Sequence, residues 1–168
     1  MTSIHTAGVA TRRPRALTAD LWPAITTHTL DDVIIAALSM SRLVEWCGTP
    51  CVHTADAAMP HTGGRPSDSE LSSVVVARVI SAQWRSDLRL HVVIDANRSG
   101  CRPIVEEARL LGRASIASPA SVVLESSCAR RDGYAAHLPG DIAAGDLVVV
   151  PCLGVTVLHD IKVPRRAN

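Results

Sequence analysis

The chain has no phenylalanine, one tyrosine and three tryptophans. So few rings exclude a base-stacking surface of the kind that holds single-stranded nucleic acid. Lysine is nearly missing too: Lys162 is the only one among 17 basic residues, and the rest are arginine. An enzyme that holds pyridoxal phosphate (PLP) as a Schiff base needs a lysine, and only Lys162, near the C-terminus, could serve. An excess of either charge is also lacking. The net charge is +1 and the sequence pI about 7.7, which argues against a nucleic-acid or membrane-surface partner. The five cysteines are odd in number and irregularly spaced, so a disulfide framework is not expected. No apolar run is long enough to span a bilayer, and residues 1–15 lack the apolar stretch of a signal peptide. The expectation is a cytoplasmic protein.

What is present is 168 residues, 47% of them hydrophobic, enough for one domain with a real core. Residues 1–15 are polar and carry Thr11-Arg12-Arg13-Pro14-Arg15. They read as a disordered arm, with a basic docking arm as the alternative. Residues 16–168 read as a single β-domain: an N-terminal segment with a helix over 16–58, a loop over 59–70, and the β-domain proper over 71–168. Residues 17–25 suggest a short edge strand, confined to an edge by Pro23.

The strongest helical pattern runs over 29–46. Thr29 can cap it, Asp31 and Asp32 suit its first turn, and Ile34, Leu38, Ser41 and Glu45 mark one face. Gly48 and Pro50 stop it. The loop contains Pro60, Gly63, Gly64 and Pro66. β patterns follow over 73–82 and 88–94, around a turn at Arg85-Ser86-Asp87, and again over 122–125, 147–150 and 155–163. Residues 104–111 suggest a helical turn, and 140–145 a turn between strands.

Several short motifs follow one another in a fixed order. Trp46-Cys47-Gly48-Thr49-Pro50-Cys51 joins the helix to a strand. Leu90-His91-Val92-Val93-Ile94-Asp95-Ala96-Asn97 is a strand ending in a turn. Arg102-Pro103, Ser127-Cys128-Ala129-Arg130-Arg131-Asp132, Leu138-Pro139-Gly140-Asp141 with Gly145-Asp146-Leu147, and Gly154-Val155-Thr156 complete the set. This order resembles the fold-type III PLP decarboxylases of the diaminopimelate/ornithine decarboxylase family. There a Gly-Thr-Pro segment leads into a (β/α)8 barrel, and a β-domain follows. Here the barrel is missing between the two parts. The resemblance implies a mainly β fold, a Greek-key barrel-like domain with one packed N-terminal helix.

The resemblance also implies a site. In the family the β-domain of one subunit completes the active site of its neighbour. Carried over, Arg102 is the candidate anion binder, a task suited to the guanidinium fork. Cys128 and Asp132 are the candidate catalytic residues at the interface. Asp95 and Thr156 join Arg102 in the substrate-binding set. Read alone, Arg102 is a surface arginine, Cys128 a packed thiol and Asp132 a turn-stabilising acid. Departures from the family pattern are as telling. Thr156 stands where a tyrosine contacts the cofactor phosphate, Ala129 replaces an acid, Ala96-Asn97 replaces Gly-Gly, and Glu106 stands where a substrate-contacting tyrosine follows Arg-Pro.

The implied function is an accessory subunit that completes the site of a (β/α)8-barrel partner acting on an amino-acid-like anionic substrate. No cofactor is expected on this chain alone. Three chemistries stay open: elimination or cyclisation without PLP, such as aziridine formation with loss of sulfate; PLP-dependent decarboxylation split over two chains; or binding without catalysis. Outside these motifs, Cys47, Cys51 and His53 form a Cys-x3-Cys-x-His cluster. A zinc site there would need a fourth ligand, so no metal is expected. No Gly-rich phosphate loop is present.

Overall fold

The computed structural model describes residues 15–97, 100–127 and 129–163, with the backbone alone over 129–132. Within them the fold is mainly β, with a curled, half-barrel sheet and one packed helix. Strands β1 (Thr26–His28), β2 (Val33–Ile35) and β3 (Leu38–Ser39) form a small sheet. Helix α1 (Met40–Cys47) follows, then β4 (Cys51–Ala58), β5 (Pro66–Trp84), β6 (Leu90–Ile94), β7 (Arg109–Leu111), β8 (Pro119–Ser126), β9 (Ala129–Pro139), β10 (Leu147–Cys152) and the short helix α2 (Leu158–Ile161).

The large sheet has the order β7-β10-β5-β6-β8-β9, with β4 also paired to β5. Among the described residues only the β6–β8 pair is parallel; between these strands the chain crosses over and places β7 beside β10. The sheet curls until its end strands, β7 and β9, come into contact.

β5 organises the core because it is buried on both faces. Val75, Ala77 and Val79 enter the larger cluster, with Val92, Leu124, Val148 and Val150. Val74 and Val76 enter a second cluster, with Trp22, Ile35, Met40, Val44 and Val149. A strand covered on both sides reads as a continuous apolar run, which is how Val74-Val75-Val76-Ala77 appears in the sequence. Successive residues of β10 divide in the same way.

The predicted helix over 29–46 is corrected in its first half. Val33-Ile34-Ile35 is a β-branched run and forms β2. Thr29 does accept backbone N–H groups, from Asp32 at 3.0 Å and Asp31 at 3.4 Å, but it closes the turn between β1 and β2. Ala36 and Ala37 then take positive φ (47° and 67°) to turn β2 into β3. Such turns normally advertise themselves as Asn-Gly, and Ala-Ala gives no warning. The true cap of α1 is Ser39, whose hydroxyl accepts the Arg42 N–H at 3.1 Å. Gly48 closes the helix at φ 71°, its N–H donating to the Val44 carbonyl at 2.8 Å.

Four smaller expectations also change. Residues 17–25 hold a 3₁₀ turn (Ala19–Leu21) and a single bridge from Pro23 to Ala57. Residues 104–111 hold a 3₁₀ turn (Val105–Glu107) and then β7. Residues 155–163, expected as a strand, contain α2. The loop after β4 is shorter than expected, because β5 already begins at Pro66.

A buried carboxylate ties the N-terminal segment to the sheet. Glu107 is 2% exposed. It accepts the Trp22 indole N–H at 2.9 Å, the Thr18 hydroxyl at 2.7 Å and the Thr18 amide at 3.2 Å. Arg15 and Arg109 each stand 3.8 Å from it. Burial alone would raise the Glu107 carboxyl. The Trp22 and Thr18 hydrogen bonds and the Arg109 charge outweigh burial and hold it below the ordinary glutamate value.

Candidate functional site

Arg102 lies on the loop between β6 and β7, and neighbouring backbone groups hold that loop firmly. The Leu153 amide donates to the Arg102 carbonyl at 2.9 Å, Pro103 bridges to Cys152, and the Ile104 amide donates to the Pro151 carbonyl at 2.8 Å. Gly100 packs so closely on α2 that an added Cβ would lie 2.3 Å from the Asp160 Cβ. The backbone is therefore clamped while the Arg102 side chain is exposed. Its guanidinium has no hydrogen-bond or ion-pair partner among the described residues.

The segment that clamps Arg102 also carries an apolar rim. Leu153, Val155, Val157 and Leu158 are all exposed, with Val155 at 58%. Leu71 and Leu21 are exposed as well. They line, together with Leu153, a groove of about 450 Å³. The sequence pattern read this segment as one strand and so missed the rim.

Thr156 sits on the inner side of the same segment and is 3% exposed. Its amide donates to the Ser73 hydroxyl at 2.9 Å, and Ser73 also bonds the Thr54 hydroxyl at 2.7 Å. The Thr156 hydroxyl has no ordinary hydrogen-bond partner among the described residues and faces the Cys152 thiol. That thiol is hydrogen-bonded to the Cys101 thiol. This contact and burial push it well above the usual cysteine range. The two cysteines therefore stand on either side of the Arg102 clamp, a pairing that their separation in sequence conceals.

Asp95, at the end of β6, has both oxygens engaged. One accepts the Thr49 hydroxyl at 2.6 Å and the other the Arg78 amide at 2.8 Å. It binds the Gly48-Thr49-Pro50 segment to the middle of the large sheet. Two residues on, the Asn97 amide donates to the Ile161 carbonyl of α2 at 2.7 Å. Asp132 is placed as a position on β9. Cys128 lies outside the described residues. Thr156 and the apolar rim thus share the short segment whose Leu153 amide holds Arg102, while Asp95 is engaged elsewhere, with Thr49 and Arg78.

Cys51 is buried at the start of β4, and burial, Cys47 and Asp95 push its thiol up to about 11. Burial lowers the His53 pKa. Among the described residues no group of three or more His, Cys, Asp or Glu could hold a metal ion. Among the described residues no helix is long and apolar enough to cross a membrane.

No protein-family model matches the chain, and no curated protein matches it. Among solved structures it is similar to the arginine decarboxylase of Paramecium bursaria Chlorella virus, in a structure under that name alone and in one bound to agmatine. In both cases the identity is 19% and the TM-score 0.39, over 54% of this chain and 28% of the viral one. The chain thus spans less than a third of the length of that protein.

Proposed function

We propose that this chain is a small accessory subunit of a heteromeric enzyme, completing the active site of a (β/α)8-barrel partner in a heterodimer or heterotetramer. The observation that carries the reading is Arg102: an exposed guanidinium without a partner among the described residues, on a clamped backbone, beside the apolar rim of Leu153, Val155 and Val157. Apolar surface next to a free cation suits a face that meets another subunit and holds an anion between the two. The order of motifs from Gly48-Thr49-Pro50 to Gly154-Val155-Thr156 supports it. So does the β4–β5 hairpin, where Ala58 pairs with Pro66 at the place a barrel would occupy.

The substrate class is an amino-acid-like anion. Arg102 grips its carboxylate or a leaving sulfate; the catalytic roles of Cys128 and Asp132 rest on the order of motifs alone. Asp95 and Thr156 act from behind, by holding Thr49, Arg78 and Ser73 in place. Two features of this chain weigh against PLP. Thr156, at the position expected to meet the cofactor phosphate, is buried with its amide spent on Ser73. Lys162 is exposed, and its backbone is bridged to Ala96. The favoured chemistry is therefore cyclisation without PLP. An amine nitrogen attacks the carbon that bears a sulfate ester, the C–N bond forms as the C–O bond breaks, sulfate leaves with the electron pair, and the amine proton passes to a base.

The test is co-expression with a (β/α)8-barrel protein lacking this domain, sought among the neighbouring genes, followed by size-exclusion chromatography and an absorbance scan. A stable colourless complex, inactivated by Arg102→Ala, supports the proposal. A stable yellow complex replaces it with a split PLP decarboxylase. A monodisperse monomer with no complex sinks the heteromer and leaves a stand-alone binding module. The closure of both core clusters within the described chain favours that second reading.

A further inference from the structure

The curled sheet leaves a cavity of about 280 Å³ at its seam, between the end strands β7 and β9. The turn joining β1 to β2 forms a third wall, pinned by the Gly112 amide, which donates to the Asp31 carbonyl at 2.7 Å. Val33, Leu110 and Leu138 supply apolar surface, and His28, Arg109 and His137 supply polar groups. A mainly apolar cleft with a few convergent polar groups is the usual form of a small-molecule site, and this volume is at the small end of about 300–1,000 Å³. None of the candidate site residues lines it.

Two histidines line this cavity from different elements, His28 on β1 and His137 on β9. Neither has a hydrogen-bond or ion-pair partner among the described residues. Behind them Arg109 is fixed by the carbonyls of Arg15 and Ala16 and stands 3.8 Å from Glu107. The acid in the wall, Asp32, is spent on Ser39, Ser41 and the Val33 amide. Free N–H donors beside a held cation, with an apolar floor, suit a negative head on an apolar body.

We infer that this seam is a binding site for a small monocarboxylate with an apolar tail. The carboxylate accepts from His28 and His137 near Arg109, and the tail lies on Val33, Leu110 and Leu138. The titratable and charged groups around His28 are Arg15, Asp32, Arg109 and His137, with Glu107 behind Arg109. Burial and the Arg109 charge hold the His28 pKa below the ordinary histidine value. A bound anion favours the protonated ring, so binding takes up protons and tightens as pH falls toward the depressed His28 value.

The test is an NMR titration of the full-length chain with hexanoate, following the histidine ring protons, with hexanamide as the neutral control. Saturable movement of the His28 and His137 signals is expected, with hexanamide at least about tenfold weaker. Ala117→Phe, which fills the cavity, and His137→Ala, which removes an exposed ring, should each weaken hexanoate at least about fivefold. Arg102→Ala should leave it unchanged, which separates this site from the one proposed above. Failure to saturate, equal binding of hexanamide, or wild-type affinity in the well-folded His137→Ala variant would overturn the inference.

Discussion

Glu107 and Arg102 are near neighbours in sequence with opposite environments. Glu107 is buried at 2% exposure, accepts three hydrogen bonds and has two arginines close by. Arg102 is exposed, with no side-chain partner among the described residues, although its backbone is equally well held. A charge taken out of water must have partners or it destabilises the fold. A charge left in water on a clamped backbone does nothing for stability and remains free for a ligand. The two charges thus sit five positions apart in opposite environments, one satisfied and one open to a ligand, and each can be tested by removing it.

The largest effect should come from Glu107→Ala. It strands the Trp22 indole N–H and the Thr18 donors and removes the counter-charge beside the largely buried Arg109. The expected loss is about 3 kcal/mol by urea denaturation. A loss of less than about 1 kcal/mol would erase the contrast with Arg102.

The next effect is in pH. The folded Glu107 carboxyl is depressed, so its contribution to stability is complete above the ordinary range near about 4.3 and is lost as pH falls below that through the folded value. The Arg113 hydrogen bonds depress Asp146 too, and it acts in the same direction. Urea midpoints between about pH 6 and pH 3 should fall less steeply in Glu107→Gln than in the wild type; parallel curves would contradict this assignment.

A third arginine sharpens the comparison from between the two extremes. Arg113 donates to Asp146 at 2.7 Å and 2.8 Å and to Asp141 at 3.1 Å, with about a third of its side chain exposed. These carboxylates raise its pKa. Arg113→Ala should cost about 1 kcal/mol, the scale of a surface network, read as a shift in the thermal midpoint.

Arg102→Ala should have the smallest effect on stability, within about 0.5 kcal/mol. It should still lower the turnover of the assembled complex at least about tenfold. Wild-type turnover in that complex would remove Arg102 from the site.

Much of the fold was legible where burial leaves a local pattern. The strands at 73–82, 88–94, 122–125 and 147–150 were readable from their apolar runs, and the turn at Arg85-Ser86-Asp87 from its residues. The second half of the helix was readable too, with its Gly48 stop. The first half was not, because the hairpin turn at Ala36-Ala37 uses residues that favour helices. The 155–163 segment misled for the opposite reason. Its apolar residues imitate a strand, while Leu153, Val155 and Val157 face outward and Thr156 faces inward.

By itself the sequence determined the mainly β class, the poverty of aromatics and lysine, and the candidate residues Arg102, Asp95 and Thr156, since these depend on composition, alternation and motif order. Only the tertiary structure decided that Asp95 is spent on Thr49 and Arg78, that Thr156 is buried, that Cys101 meets Cys152, and that His28 and His137 share a cavity. The reason is physical. Whether a polar side chain is free or satisfied depends on groups brought close from distant parts of the chain, and local sequence carries no record of those partners.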